Sequence, residues 1–245
     1  KGPLMTVSTG CVAGIDAIAY GCEALRKGLA KYFICGGVDC PISYYSFMGF
    51  CAARIMSTRN DMPEKASRPF DALRDGGILA EAGGVIVLEE YESAMQRGAN
   101  IYGEILGYGN TGEGGSIVTK GLNVDGMVIA MNSALADALL SPSEIDYISA
   151  HAPSDPFLDA LETLAIKKVF KEEAYKIPIS SIKSMIGSPL AAAGPLQVIS
   201  VLMAISKQIL PPTINYEFPD PECDLDYVPN YARENKVEKV MVNSH

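Results

Sequence analysis

Residues 4–37 of this chain read LMTVSTGCVAGIDAIAYGCEALRKGLAKYFICGG, a pattern that predicts a strand, a sharp turn, a helix and a second strand. The apolar run 4–7 is typical of a strand. From 12 to 29 apolar residues recur with a helical period, and Gly28 predicts the end of that helix. Residues 32–37 form a second short apolar run. Such a unit predicts an α/β fold with a parallel or mixed sheet.

Apolar strands and amphipathic helices continue to alternate along the rest of the chain. The further predicted strands are 83–89, 101–108, 145–150, 177–182 and 239–242, and the further predicted helices are 90–97, 126–140, 156–170 and 190–209. Ser141–Glu144 has capping-box spacing, and Asp155 before Pro156 predicts a helix N-terminus. We expect two halves, 1–100 and 101–245, each with a strand that delivers a reactive residue at the mouth of a helix.

Composition and charge restrict the class of protein. The chain has 245 residues, of which 48% are hydrophobic, and a net charge of −9. This length allows a substantial core, and the negative charge argues against nucleic acid as a partner. No run of about 20 apolar residues predicts a membrane span. The six cysteines contain no C-x-x-C pair, which predicts reduced thiols and a cytoplasmic location.

Three polar residues stand at the ends of predicted strands: Cys11, His151 and Lys183. A thiol at a helix N-terminus is favoured as thiolate, so we expect a lowered pKa for Cys11. Each residue alone also fits a structural role, as a small buried thiol, a structural imidazole or a solvated charge. Together, at the carboxyl edge of a sheet, they indicate a thiol nucleophile with polarising partners.

Longer stretches carry a resemblance to a known family. They are residues 8–11, residues 53–71, residues 147–151 with Asp159 and Glu162, and residues 183–187, and the similarity continues through 88–92 and 211–215. In these segments the chain resembles a β-ketoacyl-acyl carrier protein synthase, an elongating type II ketosynthase of the thiolase superfamily. The resemblance implies a layered thiolase-like α-β-α-β-α fold with mixed sheets, here a partial copy.

The resemblance also implies a chemistry, a decarboxylative Claisen condensation in fatty acid or polyketide synthesis. Cys11 would carry an acyl chain taken from an acyl carrier protein, and malonyl carrier protein would then supply an enolate. His151 matches a histidine that contacts the malonyl thioester carbonyl. Lys183 matches a lysine that supports this site electrostatically, and Glu162 matches an acidic residue in its polar network. No cofactor or metal is implied beyond the carrier's phosphopantetheine. The family implies a dimer, either with a second copy or with another ketosynthase-type subunit.

The sequence departs from the family pattern at Ser188, where a second histidine is expected. Losing one oxyanion donor typically costs about 10²–10³ in rate. Two alternatives to a condensing enzyme therefore stay open. One is a ketosynthase-like protein that transfers acyl groups without elongating them, and the other is a non-catalytic partner subunit. The retained Cys11 argues against the partner subunit.

Two further departures concern the loop after His151 and the length of the chain. Pro153 in His151-Ala152-Pro153 predicts a reshaped loop, because it removes an N–H and restricts the residue before it. The family domain is expected to begin before Lys1 and to continue past His245, which stands where the family has phenylalanine. We therefore expect a partial chain.

Two other motifs are better explained as loops. Gly107-x-Gly109-x-x-Gly112 has the spacing of a dinucleotide-binding turn, but Glu113-Gly114-Gly115-Ser116 follows it instead of an apolar helix. Asp220, Glu222, Asp224 and Asp226 alternate around Cys223 without the spacing of a calcium loop. Neither motif predicts a nucleotide or metal site.

Overall fold

The structure, a computed structural model, describes residue 2, residues 4–112 and residues 123–245. Its α-helices are α1 Ala13–Arg26, α2 Tyr44–Ala52, α3 Tyr91–Gln96, α4 Asp125–Asp137, α5 Pro156–Phe170, α6 Lys183–Ile186 and α7 Ala193–Lys207. Its strands are β1 Tyr32–Asp39, β2 Ala82–Glu89, β3 Tyr147–Ser149, β4 Ile179–Ser180, β5 Ile209–Leu210, β6 Arg233–Glu234 and β7 Val240–Val242. Short 3₁₀ turns lie at Gly10–Val12, Pro63–Lys65, Pro142–Glu144, Lys171–Tyr175 and Leu190–Ala192.

The strands pair in both directions, which confirms the predicted α/β class. β1 and β2 are antiparallel, from Tyr32 opposite Glu89 to Asp39 opposite Ala82. The central sheet has the order β4-β3-β7 and is parallel throughout, while β5 and β6 form a small antiparallel pair. The parallel sheet brings His151 and Lys183 to one edge, because they follow the carboxyl ends of β3 and β4.

Local sequence signals predicted several element ends correctly. Ser141 and Glu144 form the expected capping box. The Asp155 carboxylate accepts hydrogen bonds from the backbone N–H groups of Phe157 and Leu158 at 2.9 and 3.0 Å, which satisfies the first turn of α5. Gly28 adopts a positive φ of 68° just beyond α1.

Two predicted strands are wrong. Residues 4–7 are irregular, with Leu4 97% exposed, and residues 101–108 are irregular as well. An apolar pattern does not supply a neighbouring strand, and within the described residues neither segment has one. The segment 101–108 instead lies beside α1, where Arg26 Nη2 donates to the carbonyl of Leu106 at 3.0 Å. Because residues 4–7 form no strand, the predicted strand–helix–strand unit is incomplete, and β1 pairs antiparallel with β2 instead.

Close backbone contact holds α1 against the start of α7. A Cβ atom on Gly14 would lie 2.2 Å from the carbonyl oxygen of Ala191 and 2.5 Å from Cδ of Pro195. Only a residue without a side chain fits there. This contact places the turn that carries Cys11 beside the segment that follows α6.

The helix α7 is the central connecting element of the fold. Gln197 Nε2 donates to the backbone oxygens of Ser149, Ala150 and Asn243 at 3.2, 2.9 and 3.1 Å, which ties α7 to β3 and β7. Among the described residues, Leu190–Lys207 is the one segment long and apolar enough to cross a membrane by those measures alone. It packs against β1, β2 and β7.

The two faces of the β1–β2 pair differ. One face packs on α1 and α7 through Cys35, Phe33, Ile86 and Leu88. The other face carries large apolar side chains that are each more than half exposed: Tyr32, Ile34, Val38, Val85 and Val87. We call these five residues the exposed strand face. Because these side chains are adjacent on paired strands, they form one continuous apolar patch.

The contact at Gly14 leads to a stability prediction. We expect Gly14→Ala to lower the free energy of unfolding by about 1–3 kcal/mol, since the new methyl group must displace the Ala191 carbonyl or Pro195. Chemical denaturation monitored by circular dichroism measures the change. The matched control is Gly49→Ala in α2, where a Cβ meets nothing within 4 Å, and where alanine is expected to stabilise by up to about 1 kcal/mol. Equal stability of the two variants would contradict the packing argument.

Candidate active site

Cys11 lies in the 3₁₀ turn that leads into α1. Gly10 precedes it with a positive φ of 76°, a conformation that glycine adopts without strain. The thiol is half-buried. Burial raises the pKa of Cys11, and the charge of Lys183 opposes this without reversing it. The expected lowering of this pKa is therefore wrong, because desolvation outweighs both the ammonium and the helix terminus.

His151 follows β3 and is buried. Its Nδ1 accepts from two donors, the Nζ of Lys183 and the backbone N–H of His245, each at 3.3 Å. Both groups can only donate, so the ring proton resides on Nε2. Burial, the charge of Lys183 and the neighbouring His245 together hold the pKa of His151 well below its usual value. The ring is therefore a neutral imidazole with an N–H to offer.

Lys183 begins α6 and is almost completely buried, so the interpretation as a solvated charge is wrong. Its Nζ donates to the backbone oxygen of His151 as well as to the ring. The hydroxyl of Ser67 donates to the Lys183 carbonyl at 2.8 Å and holds the start of the helix. Burial lowers the pKa of Lys183 to about 8, although the charges of Glu162 and Cys11 favour the ammonium.

Glu162, on α5, is a buried carboxylate that joins three segments. It accepts from the backbone N–H groups of His151 and Ala152 at 2.9 and 2.8 Å and from the Nδ2 of Asn243 at 3.1 Å. Burial alone would raise the pKa of Glu162, but His245 and the two backbone donors outweigh it and lower the pKa. The carboxylate is thus ionised and fixes the loop that carries His151.

Asp159 lies one turn before Glu162 on α5 and connects the site to the 67–71 segment. Its Oδ2 accepts from the backbone N–H of Phe70 at 2.9 Å and lies 3.7 Å from Nε of Arg74. Burial raises the pKa of Asp159 to about 7 despite the nearby guanidinium. In the same segment Arg68 pairs with Asp71 at 2.9 Å, with both side chains buried. Phe70 and Arg74 thus hold α5 in place through Asp159.

Ser188 is held by its backbone. Its N–H donates to Ile78 at 2.7 Å, and its carbonyl accepts from Ala80 at 3.1 Å. Within the described part of the chain its hydroxyl makes no hydrogen bond to His151 or Lys183. The structure therefore brings Cys11, His151, Lys183 and Glu162 into one electrostatic neighbourhood and leaves Ser188 outside their hydrogen-bond network.

Sequence reasoning gave His245 no role, yet it lies within this network. Its ring centroid is 4.2 Å from that of His151, and its Nε2 is 3.7 Å from Oε2 of Glu162. Asn243, two residues earlier, bonds to the same carboxylate. The available signal was that the chain has only two histidines and that one follows the last predicted strand.

The two motifs interpreted as loops have structural explanations. Gly107 and Gly109 lie against the backbone of α4, where a Cβ on Gly109 would be 2.1 Å from the Ala130 carbonyl. Residues 113–116 are outside the described residues. Three of the four alternating carboxylates are in ion pairs. The pairs are Asp220 with Arg74, Asp224 with Lys167 and Asp226 with Arg233. No cluster suited to a metal ion occurs in the described ranges.

Together these groups can perform acyl-transfer chemistry. A thiol can accept an acyl group, a neutral imidazole can donate from Nε2 to a developing oxyanion, and a buried ammonium stabilises negative charge nearby. None of these steps requires a metal ligand or a cofactor-binding turn from this chain. The geometry fits the expected chemistry, and comparison with known proteins gives it a family.

Two family models match the chain. The N-terminal domain of beta-ketoacyl synthase matches residues 1–94, and its C-terminal domain matches residues 102–217. A putative polyketide beta-ketoacyl synthase 1 of Streptomyces halstedii is 45% identical over 98% of the chain and 57% of its own length. The 3-oxoacyl-[acyl-carrier-protein] synthase 2 of Coxiella burnetii is 44% identical over 100% of the chain and 59% of its own length.

A solved structure agrees with these relatives. It holds a type II polyketide synthase acyl carrier protein in complex with its ketosynthase bound to the hexaketide. The match has 40% identity, a TM-score of 0.94 and coverage of 96% of this chain and 58% of that one. This neighbour confirms the predicted thiolase-like fold. The chain spans a little under three fifths of the length of these relatives, and it belongs to the beta-ketoacyl synthase family.

Proposed function

We propose that the protein containing this chain is a β-ketoacyl-acyl carrier protein synthase. The observation that carries the proposal is that two donors, Lys183 Nζ and the His245 backbone N–H, lie on Nδ1 of His151, which leaves the ring proton to Nε2. A buried neutral imidazole is suited to hold the carbonyl oxygen of a thioester without transferring its proton fully. Cys11, within the electrostatic range of Lys183, is the group that would carry the acyl chain.

The reaction proceeds in two halves. The sulfur of Cys11 attacks the acyl thioester of a carrier protein, and the phosphopantetheine thiol leaves with a proton. Malonyl carrier protein then loses CO₂, and the electron pair of the broken bond forms an enolate whose oxygen faces His151 and the field of Lys183. The enolate carbon attacks the Cys11 thioester, so that the sulfur is released and a β-ketoacyl carrier protein forms.

The partners follow from the same chemistry. Both substrates arrive on the phosphopantetheine of an acyl carrier protein, and the solved relative is itself a ketosynthase in complex with such a carrier. We further propose a dimer, formed with a second copy or with another ketosynthase-type subunit, and a cytoplasmic location. The residues 1–100 and 101–245 would form its two halves, the first with Cys11 and the second with His151 and Lys183.

Ser188 favours a second candidate, a ketosynthase-like protein that transfers acyl groups without elongating them. Its hydroxyl makes no hydrogen bond to His151 among the described residues, so the position does not contribute the second imidazole of the family pattern. Acyl transfer to Cys11 depends on that imidazole less than decarboxylation does, because no enolate forms in the first half-reaction. The third possibility, a non-catalytic subunit, is disfavoured by the retained Cys11.

Mass spectrometry of the full-length protein tests the three candidates. With an acyl carrier donor we expect an acyl mass on Cys11, and with malonyl carrier protein a β-ketoacyl product on the carrier. Cys11→Ala should abolish both signals, because no other thiol stands in this network. The matched control is Cys40→Ser, at an exposed thiol. Acylation of Cys11 without consumption of malonyl carrier protein would contradict condensation and support the acyl-transfer protein. No acylation at all would contradict both and support the non-catalytic subunit.

Lys183 gives a pH prediction. Its pKa of about 8 lies below the ordinary lysine value, so the ammonium is present below pH 8 and is lost as the pH rises through 8. We expect malonyl decarboxylation by the acylated enzyme to fall above pH 8, approaching tenfold per pH unit. Lys183→Met should be slower and should lack this inflection.

The control for this profile is Lys176→Met, at a side chain that is 68% exposed and pairs with Glu173. It should keep the wild-type profile. A wild-type rate that stays constant from pH 7 to 9, or an inflection that persists in Lys183→Met, would show that another group titrates.

A further inference from the structure

The environment of His245 is that of a functional side chain. The ring lies on that of His151 with centroids 4.2 Å apart and planes inclined by 38°. Its Nε2 is within 3.7 Å of Glu162, and its own side chain is 19% exposed. No hydrogen bond reaches this Nε2 within the described ranges. This nitrogen is itself buried beside the carboxylate, so a ligand would have to meet the ring at its other nitrogen, Nδ1.

The open side of the ring faces a cavity. His245 is part of the lining of a cavity of about 1500 Å³, as are Glu162 and Val12, the residue after Cys11. Apolar side chains from α1, β2, α4 and α7 make up much of the rest of this wall. His245 thus stands between the buried histidine of the site and a space large enough for an acyl thioester arm.

We propose that His245 is the second imidazole of this active site, and that it compensates for the serine at position 188 during decarboxylation of a malonyl thioester. The inference rests on the proposed function and deepens it. Glu162 orients the His245 ring through Nε2. The backbone N–H of His245 fixes the tautomer of His151. His245 is therefore a positioning residue through its backbone and an electrostatic partner through its ring.

The charges around His245 are consistent with this role. Glu162 on α5 faces it from one side, and His151 and Lys183 lie on the other. With Nε2 turned to Glu162, the group that would stabilise a developing enolate oxygen is the N–H at Nδ1, a contribution that the Ser188 hydroxyl does not make in this network.

Substitutions in the full-length protein test the role of the ring. His245→Phe keeps a ring of similar size against His151 but removes both nitrogens. We expect the rates of malonyl decarboxylation and condensation to fall by about 10²-fold, the loss typical of one oxyanion donor. This loss should be at least tenfold larger than the loss in the rate of Cys11 acylation. His245→Gln retains an amide donor and should lose less than His245→Phe.

A second-site rescue separates chemistry from packing. Adding Ser188→His to the His245→Phe variant should recover at least tenfold of the lost condensation, because it supplies an imidazole at the family position. The same Ser188→His change in the wild type should have little effect. A packing defect at residue 245 would not be repaired from position 188. Lys236→Ala, at a side chain 81% exposed, serves as the control that leaves both half-reactions unchanged.

The outcomes distinguish this inference from the proposed function. No acylation of wild-type Cys11 overturns the proposed function itself. Acylation without decarboxylation in the wild type leaves acyl transfer standing and overturns the role of His245. Unchanged condensation in His245→Phe, or an equal fall in acylation and condensation with no rescue, also overturns it. Thermal unfolding of each variant identifies any that fail to fold. If His245→Phe fails to fold, the rates of His245→Gln are compared with those of the wild type instead.

Discussion

The buried carboxylate of Glu162 is the constraint on which the site depends. An ionised carboxylate away from water costs several kcal/mol unless donors surround it. Its donors here come from the loop after β3, through His151 and Ala152, and from the end of β7, through Asn243. Helix α5 can therefore be buried only if the carboxyl ends of β3 and β7 lie side by side. The contacts that satisfy Glu162 therefore fix both the geometry of the candidate site and the packing of α5 on β3 and β7.

The same environment decides which basic group carries charge. His151 and Lys183 are both buried and lie 3.3 Å apart, so two positive charges would repel strongly in a region of low dielectric. The imidazole gives up its proton and the lysine keeps its own, with a pKa near 8. Cys11 lies in the field of that ammonium, but burial still raises its pKa. The candidate nucleophile is therefore favoured as a thiol rather than as a thiolate.

Much of this arrangement could be predicted from the sequence, and the parts that could not have physical reasons. The start of α5 at Asp155 and the end of α1 before Gly28 follow from local backbone chemistry and were predicted correctly. The strand at 101–108 was wrong, since a strand needs a neighbour that the local pattern does not reveal. The direction of the Cys11 pKa was wrong because desolvation depends on tertiary packing. His245 was missed as a participant, since its contact with His151 joins residues 94 positions apart.

The exposed strand face has a consequence for how the polypeptide behaves in solution. Adjacent apolar side chains on β1 and β2 form a patch that attracts other apolar surfaces, whereas the net charge of −9 makes whole molecules repel each other. At 0.1 M salt the repulsion is largely screened beyond about 10 Å, whereas the apolar attraction is kept. Colloidal stability of this chain is therefore a competition in which ionic strength favours association, and low-salt buffers favour dispersed molecules.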